Sequence, residues 1–267
     1  MLTVRIAQTK ADLDACFRLR YEVFVAELGT IPAERFPGRR ECDSFDTLAT
    51  TTHLLACIGP EPVGTVRILE PNPDVGQANG WAYGFSLEQC FDLGALHAEA
   101  GKSVIELPRS SVLRSHRSKG HSVSNGLWGA AVHLLRMKGY RFIVAGTNPQ
   151  TDDLEEAQRI FKILQQADLA FAKAQVHARR PDFYTAKASP SRLSVDSPTA
   201  TSAAPLPSMA APKLPPILSI FVGLGGLALG RPIFDPHVDS CNIPMIWPLD
   251  SPKLAPLFSH HVPFALS

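Results

Sequence analysis

The amino-acid sequence predicts an α/β fold in which helices pack on a mixed β-sheet. Two observations carry this prediction. Residues 52–58 and 63–69 are short β-prone runs joined by a Gly-Pro-Glu-Pro turn, the pattern of two antiparallel strands with a tight connection. Segments with apolar residues at intervals of three and four positions precede and follow this pair, as amphipathic helices require. The order helix, two strands, strand, helix, strand, helix is typical of an α/β sandwich.

The remaining elements follow from periodicity and from stop signals. The first helix is predicted from Asp12 to Leu28, because Gly29 and Pro32 come directly after its last apolar position. Four further elements complete the core: a strand at 103–113, a helix from Ser124 or Asn125 to Gly139, a strand at 141–145, and a helix from Leu154 to about Leu169.

Composition divides the chain into three parts. Residues 1–185 hold the predicted catalytic domain. Residues 186–213 are rich in Ser, Pro, Ala and Thr, which bury too little apolar surface to offset their ordering entropy, so this segment is predicted to be a linker. Residues 214–267 become apolar again with frequent Gly and Pro, and we interpret them as a lid that packs on the domain.

Charge and cysteine usage exclude several functions. Lys+Arg minus Asp+Glu is 26 − 25 = +1, so the chain has no basic field to hold nucleic acid. Five cysteines without a Cys-x-x-Cys pair argue against a disulfide framework and against a zinc site, and no metal is expected. The amino terminus lacks the features of a secretory signal, and the apolar stretch 217–229 is too short to span a membrane. A cytoplasmic location is therefore predicted.

Charged residues in and after the first helix are candidates for a site. Arg20, Phe24 and Glu27 would share one stripe of that helix, which on its own favours a solvated ion pair beside a core phenylalanine. The loop 41–46, Glu-Cys-Asp-Ser-Phe-Asp, weakens that interpretation because three crowded carboxylates are unfavourable unless a cation lies opposite. Arg20 and Arg67 are the candidate cations.

Several segments together resemble a known family. They are the Leu-Arg-Tyr-x-Val-Phe-x-x-Glu run at 19–27, the Glu-x-Asp-x-x-Asp loop at 41–46, His-Leu-Leu at 53–55, Phe-Asp-Leu at 91–93, Glu-Leu-Pro-Arg-Ser at 106–110, and Leu-Trp at 127–128. In this order they resemble the ornithine-lipid-forming (hemolysin-like) L-ornithine Nα-acyltransferases of the GNAT superfamily. Acyl-homoserine lactone synthases and long-chain N-acyl amino acid synthases are related to that family.

The resemblance implies a fold and a reaction. The fold is a GNAT-like α/β/α sandwich with a mixed, mostly antiparallel, splayed sheet, to which this chain adds its C-terminal extension. The reaction moves a long-chain fatty acyl group, with or without a 3-hydroxyl, from acyl carrier protein to the α-amine of ornithine or a similar amino acid, giving an N-acyl amino acid or lyso-aminolipid. Two alternatives stay open: an acyl-homoserine lactone-type signal synthase, and a non-catalytic acyl-carrier or lipid-binding module.

The same resemblance implies roles for individual residues. Glu106 is the expected general base, since burial among apolar neighbours would raise its pKa, and His53 is the second candidate. Without the family, Glu106 would be interpreted as a strand glutamate paired with Arg109. The residues expected to bind the acceptor are Arg20, Phe24, Glu27, Asp43, Asp46 and Arg67, and Arg109 is expected at the reaction centre.

A basic segment before the Leu-Trp helix is expected to meet the acyl donor. Arg117, Lys119 and Gly120 lie in a degenerate form of the GNAT loop whose backbone amides bind the pantetheine phosphates. Together with Arg114, the same basic side chains offer a docking patch for an acidic acyl carrier protein instead. No permanently bound cofactor is expected; acyl carrier protein or coenzyme A would bring the acyl group as a co-substrate.

Three departures from the family bear on function. Pro108 stands where the family has a small residue, and it removes a backbone N–H beside the expected base. No tryptophan follows the first helix, which disfavours the lactone product. The segment 219–224 is more apolar than in the family, so it is expected to cover an acyl chain or to rest on the inner membrane surface.

Overall fold

The central feature of the computed structural model is a long mixed β-sheet covered by helices on both faces. The structure describes residues 1–117, 122–184, 214–258 and 263–265. The predicted linker 186–213 lies outside these residues.

The described residues form twelve strands and six α-helices. The strands are β1 Leu2–Ile6, β2 Thr51–Ile58, β3 Glu61–Leu69, β4 Phe91–Asp92, β5 Val104–Glu106, β6 Ser111–Val112, β7 Phe142–Thr147, β8 His177–Ala178, β9 Leu227–Ala228, β10 Ile233–Asp235, β11 Ser240–Pro248 and β12 Phe264–Ala265. The α-helices are α1 Lys10–Arg20, α2 Pro73–Asn79, α3 Gly94–Ala100, α4 Ser122–Met137, α5 Leu154–Gln166 and α6 Pro216–Gly223.

The sheet order confirms the predicted fold class. The strands run β10-β11-β7-β5-β3-β2-β1-β12, with β6 beside β3 and β9 beside β11. Most neighbours are antiparallel, and the parallel ladders are β5 with β7 and β1 with β12. Apolar side chains of β2 and β3 at Leu54, Val66 and Ile68 pack with α4 and α5 on one face. On the other face α1 packs through Cys16 and Leu19 against Leu55 and Cys57.

The sheet opens between β5 and β7. These two strands pair in parallel from Val104 to Glu106, opposite Phe142 to Val144, and the Leu107 N–H donates the last bond to the Val144 carbonyl at 2.9 Å. Beyond that point β7 pairs with β11, while the continuation of β5 pairs as β6 with β3. The two strands therefore stop pairing with each other directly after Glu106.

The first helix differs from its prediction in the last two turns. It is α-helical from Lys10 to Arg20, with a capping box in which the Asp12 N–H donates to Thr9 Oγ1 at 3.1 Å. From Tyr21 to Glu27 it continues as a π-helix, in which the Leu28 N–H reaches the carbonyl five residues back, at Val23. A π-helix turns less per residue than an α-helix, so Arg20 and Glu27 do not share the face that a 3.6-residue period predicts.

The strand predicted at 103–113 is interrupted. Its two ends form β5 and β6, and residues 107–110 between them bulge, with the Arg109 backbone in the left-handed region at φ 57°. A bulge re-aims the side chains around it, here Arg109 and its neighbours. The predicted antiparallel pair is confirmed as β2 and β3, and the later helices and strand are confirmed as α4, β7 and α5 within a few residues.

The C-terminal residues build the sheet as well as covering it, so their interpretation as a lid is incomplete. β11 pairs antiparallel with the whole of β7, from Pro248 opposite Phe142 to Ile243 opposite Thr147. Gly and Pro punctuation had hidden this nine-residue strand. Trp247 on β11 is fully buried and meets Trp128 of α4 and Phe221 of α6 at ring-centroid distances of 5.2 and 5.4 Å. Among the described residues, no helix is long and apolar enough to cross a membrane.

We expect Trp247→Ala to lower the free energy of unfolding by about 3–5 kcal/mol, because it empties the aromatic contact that joins β11, α4 and α6. Urea unfolding followed by far-ultraviolet circular dichroism measures this change. Phe258→Ala is the control: its side chain is exposed, and we expect less than about 1 kcal/mol. Equal effects of the two substitutions would contradict the role given to Trp247.

Candidate active site

A buried network of ion pairs joins the end of α1, the acidic loop and β3. The Arg20 guanidinium donates through Nε to Glu41 and through Nη1 and Nη2 to Asp46 at 2.7 and 3.1 Å. Arg67 donates through Nη1 to Asp43 at 2.6 Å and to Asp46 at 2.8 Å. Both cations thus lie opposite the three crowded carboxylates. Glu41 was noted in the sequence as part of the loop but was not assigned to the site.

The loop folds locally so that its carboxylates converge. Residues Ser44–Thr47 form a short 3-10 helix, where the Phe45 N–H donates to Asp43 at 2.9 Å and the Asp43 N–H to Asp46 at 2.7 Å. Burial alone would raise the pKa of Asp46, but the Arg20 and Arg67 guanidinium groups hold that pKa well below its usual range. Burial likewise opposes the charge of Arg20, and the carboxylates of Glu41 and Asp46 raise its pKa above the ordinary value.

Arg67 keeps two hydrogen-bond donors without a partner. Its side chain is 1% exposed, and neither Nε nor Nη2 has a hydrogen-bond acceptor among the described residues. Arg109 lies beside it, with Nε 3.2 Å from Glu41 and Nη2 3.6 Å from Asp43, and its guanidinium is 5.8 Å from the ring centroid of Phe24. A buried guanidinium with free N–H groups is a site for an anionic acceptor such as a carboxylate.

Glu106 lies where the sheet opens and is fully enclosed. Its carboxylate accepts from Ser86 Oγ at 2.6 Å and from the Leu87 N–H at 3.2 Å. Burial raises its pKa, while the Ser86 hydroxyl and the Arg67 charge act in the opposite direction. Glu106 is directly opposite Leu69 in the ladder, so it shares a sheet face with Arg67 two residues earlier. Arg109 contacts Glu41 and Asp43, which rules out the strand-edge pair of Glu106 with Arg109.

A second glutamate holds the segment that carries Ser86. The Glu88 carboxylate accepts hydrogen bonds from four consecutive backbone N–H groups, at residues 82–85, with distances from 2.6 to 3.1 Å. This arrangement fixes the turn from which Ser86 and Leu87 reach Glu106. Neither Ser86 nor Glu88 was predicted, because their partners are backbone groups and a residue 20 positions away, which leave no pattern in sequence.

His53 lies inside the network with its imidazole neutral. Its Nε2 is 3.6 Å from Asp46 Oδ1, and its ring meets Phe17 edge to face at a centroid distance of 5.7 Å. Burial lowers its pKa to about 4; Asp46 acts against this, and the Arg20 and Arg67 charges add to it. Such an imidazole has little tendency to take a proton at neutral pH, so this environment favours Glu106 as the base.

The residues expected to bind the acyl donor are only partly brought together. Arg117 is held by Glu27 through two bonds of 2.7 Å, and its Nε donates to the Val112 carbonyl at 2.7 Å. Glu27 thus ties the end of the π-helix to the segment after β6 and does not reach the buried network. Arg114 is exposed on a short 3-10 helix. Lys119 and Gly120 lie outside the described residues.

We expect the buried imidazole to make stability depend on pH. His53 is protonated in the unfolded chain below about pH 6.5, but in the folded protein only below about 4. The unfolded state binds more protons between these values, so stability falls as pH falls through this range, by about 3 kcal/mol. Urea unfolding gives the free energy of unfolding of the wild type and of His53→Gln at pH 7 and at pH 4. We expect the difference between the two proteins to change between these pH values. A difference that is independent of pH would contradict the assignment.

Comparisons with known proteins agree with this architecture. Residues 19–128 match the family model described as an acetyltransferase (GNAT) domain. The L-ornithine N(alpha)-acyltransferase of Agrobacterium fabrum is 33% identical over 142 residues, which are 49% of this chain and 46% of that protein. The chain spans about half the length of the curated relatives it matches.

Two solved structures share the fold at low sequence identity. The CoA-dependent acyl-homoserine lactone synthase BjaI has a TM-score of 0.55 at 16% identity, covering 100% of this chain and 95% of that one. FeeM, an N-acyl amino acid synthase from uncultured soil microbes, has a TM-score of 0.52 at 12% identity, covering 93% and 91%. Residues 19–128 are therefore similar to a GNAT acetyltransferase domain, and the resemblance to L-ornithine Nα-acyltransferases is confirmed over about half of the chain.

Proposed function

We propose that this protein is an N-acyltransferase that moves a long-chain acyl group from a thioester carrier to the α-amine of an amino acid. The observation that carries the proposal is the position of Glu106. A buried carboxylate with a raised pKa lies where β5 and β7 diverge, on the same sheet face as Arg67, which has free N–H groups. This reaction needs a base and an anion-binding group, and the acyl donor would lie where the two strands stop pairing.

The chemistry follows from these groups. An α-ammonium group cannot attack until it loses a proton, and Glu106 accepts that proton because burial has raised its pKa toward the working range. The free amine attacks the thioester carbonyl, a C–N bond forms, and the C–S bond breaks. The carrier leaves as a thiolate and takes up a proton, so the products are an amide and a free thiol.

The acceptor would be held by its charges. Its α-carboxylate would bind Arg67 and Arg109, which both lie within ion-pair distance of Asp43 and keep donors without a hydrogen-bond partner. Both oxygens of Asp46 are already engaged by Arg20, Arg67 and the Asp43 N–H, whereas Asp43 is partly exposed. Asp43 is therefore the better partner for a cationic side chain such as that of ornithine.

The acyl donor would enter between the continuation of β5 and β7. Pro108 has no N–H, so the backbone N–H groups that stabilise the oxyanion must come from the following residues, Arg109 and Ser110. We propose acyl carrier protein as the partner, with exposed Arg114 as a docking contact, and coenzyme A as the other donor to be tested. Because Arg117 is engaged by Glu27, it contributes little free charge to such a patch.

The proposed location is the cytoplasm, with contact to the inner membrane surface. α6 leaves Ile217, Ile220 and Phe221 half-buried, next to the aromatic contact with Trp128 and Trp247. A short apolar helix at the surface suits delivery of a lipid product to a bilayer.

The central test measures release of free thiol when the purified protein meets long-chain acyl carrier protein or acyl coenzyme A and a panel of amino acids. We expect release that depends on the amine, with ornithine among the best acceptors. Glu106→Gln is expected to lower kcat by about 10²-fold or more, because the base is lost. Its thermal midpoint should stay equal or rise, since a buried carboxylate becomes a neutral amide whose oxygen accepts from the Leu87 N–H and whose NH2 donates to the Ser86 hydroxyl.

Glu61→Gln is the matched control, because Glu61 is an exposed glutamate on the neighbouring strand β3. It should leave kcat unchanged. The proposal fails if no donor gives amine-dependent thiol release, or if Glu106→Gln is as active as the wild type. Lactone formation from S-adenosylmethionine in place of amino-acid acylation would point to a signal synthase instead.

Ser86 is expected to set the pH at which the base becomes active. Its hydroxyl stabilises the charged carboxylate, so Ser86→Ala should raise the pKa of Glu106 further and move the acid limb of kcat/KM to higher pH. Ser86→Thr keeps the hydroxyl and should leave the limb close to that of the wild type. An acid limb that stays in place in Ser86→Ala would show that the hydrogen bond does not control the base.

A further inference from the structure

Three metal-ligating side chains from distant parts of the sequence meet outside the ion-pair network. They are Cys90, which directly follows the 3-10 helix Ser86–Gln89; Asp235, the last residue of β10; and His237, in the turn before β11. Their donor atoms all lie within 4.8 Å of one another. We propose that these three side chains bind a zinc ion. The ion would link the β10–β11 hairpin to the segment Ser86–Cys90, which contacts Glu106.

The charge of Asp235 points to a cation. Its side chain is buried, yet no cationic side chain of the described residues lies within ion-pair distance of it. Its hydrogen bonds come from the His237 N–H at 2.9 Å, from Asn242 at 3.5 Å, which is the limit of such a bond, and from the neutral Cys90 thiol. A buried carboxylate without a counter-charge is costly, and a bound cation removes that cost.

The neighbouring thiol completes the charge balance. Cys90 is buried beside Asp235, and its sulfur lies within 4.8 Å of the other two donor atoms. A zinc ion displaces the thiol proton to solvent, which leaves a thiolate and a carboxylate to match its two positive charges. His237 adds a neutral imidazole nitrogen.

The donor set and the spacing fit zinc. Sulfur, imidazole nitrogen and carboxylate oxygen are all common zinc ligands, and three protein ligands leave a fourth position for water. Bond lengths of about 2.0–2.3 Å place tetrahedral donors about 3.5 Å apart, so donors that lie within 4.8 Å of one another need to close by no more than about 1.3 Å. His237 is exposed on the hairpin turn, where its side chain has room to make that adjustment.

The three proposed ligands adjoin the segment that holds Glu106. Cys90 ends the segment from which Ser86 and Leu87 hold Glu106, and the Cys90 carbonyl accepts from the Arg179 N–H at 2.8 Å. A metal at Cys90 therefore links the C-terminal hairpin to the segment that positions the carboxylate. This inference concerns binding and stability and does not depend on the proposed reaction.

The test is metal binding by the full chain after treatment with a chelator, with Co²⁺ as the spectroscopic probe. We expect one Co²⁺ per chain, a near-ultraviolet thiolate-to-cobalt band, and displacement of that band by Zn²⁺. Cys90→Ser should abolish the band. Cys241→Ser is the control, because it removes a buried cysteine of β11 that is not among the three ligands, and it should keep the band.

Two further measurements keep the proposal falsifiable if Cys90→Ser does not fold. His237→Ala alters an exposed side chain, and it should weaken Co²⁺ binding at least about tenfold while leaving the metal-free thermal midpoint unchanged. Zn²⁺ should raise the midpoint of the wild type but not that of Asp235→Asn. A missing thiolate band, a band that persists in Cys90→Ser, or a band lost in Cys241→Ser would overturn the assignment, and the first would show that the thiol is only a hydrogen-bonding neighbour of Asp235.

Discussion

The bonds from Arg20 to Glu41 and Asp46 are the interaction on which the rest of the site depends. The end of α1 and the acidic loop carry charges that water would solvate better, and they stay buried only because each charge meets its opposite. Arg67 joins the same network from β3, so a helix, a loop and a strand are positioned by one set of ion pairs. Removing one member would leave a buried charge without compensation, a cost of about 3–5 kcal/mol.

That network also explains why part of the Arg67 guanidinium has no hydrogen-bond partner. Two carboxylates satisfy one nitrogen of the Arg67 guanidinium and leave its other N–H groups directed elsewhere. The parting of β5 and β7 is the second feature, because their ladder ends at Glu106, on the sheet face that also carries Arg67. The ion-pair network and the end of the β5–β7 ladder therefore lie on the same sheet face, at Arg67 and Glu106.

Sequence reasoning located the fold and the charged centre but not their fine geometry. The alternation in β2 and β3 and the apolar stripes of α4 and α5 are regular, and a carboxylate-rich loop requires cations, so Arg20 and Arg67 could be named in advance. The π-helix could not, since its apolar spacing resembles that of an α-helix. Ser86 and the residues near Cys90 act across long sequence separations, and Glu88 bonds only backbone N–H groups. β11 contains Pro244 and Pro248, and proline usually interrupts strands.

The position of β7 has a consequence for how the chain folds as it is made. One neighbour of β7 is β5, about 35 residues earlier, but the other is β11, about 100 residues later. While the ribosome synthesises the intervening residues, one edge of β7 presents unpaired N–H and C=O groups to the cell. Such an edge is a template for pairing with other chains until β11 has been synthesised.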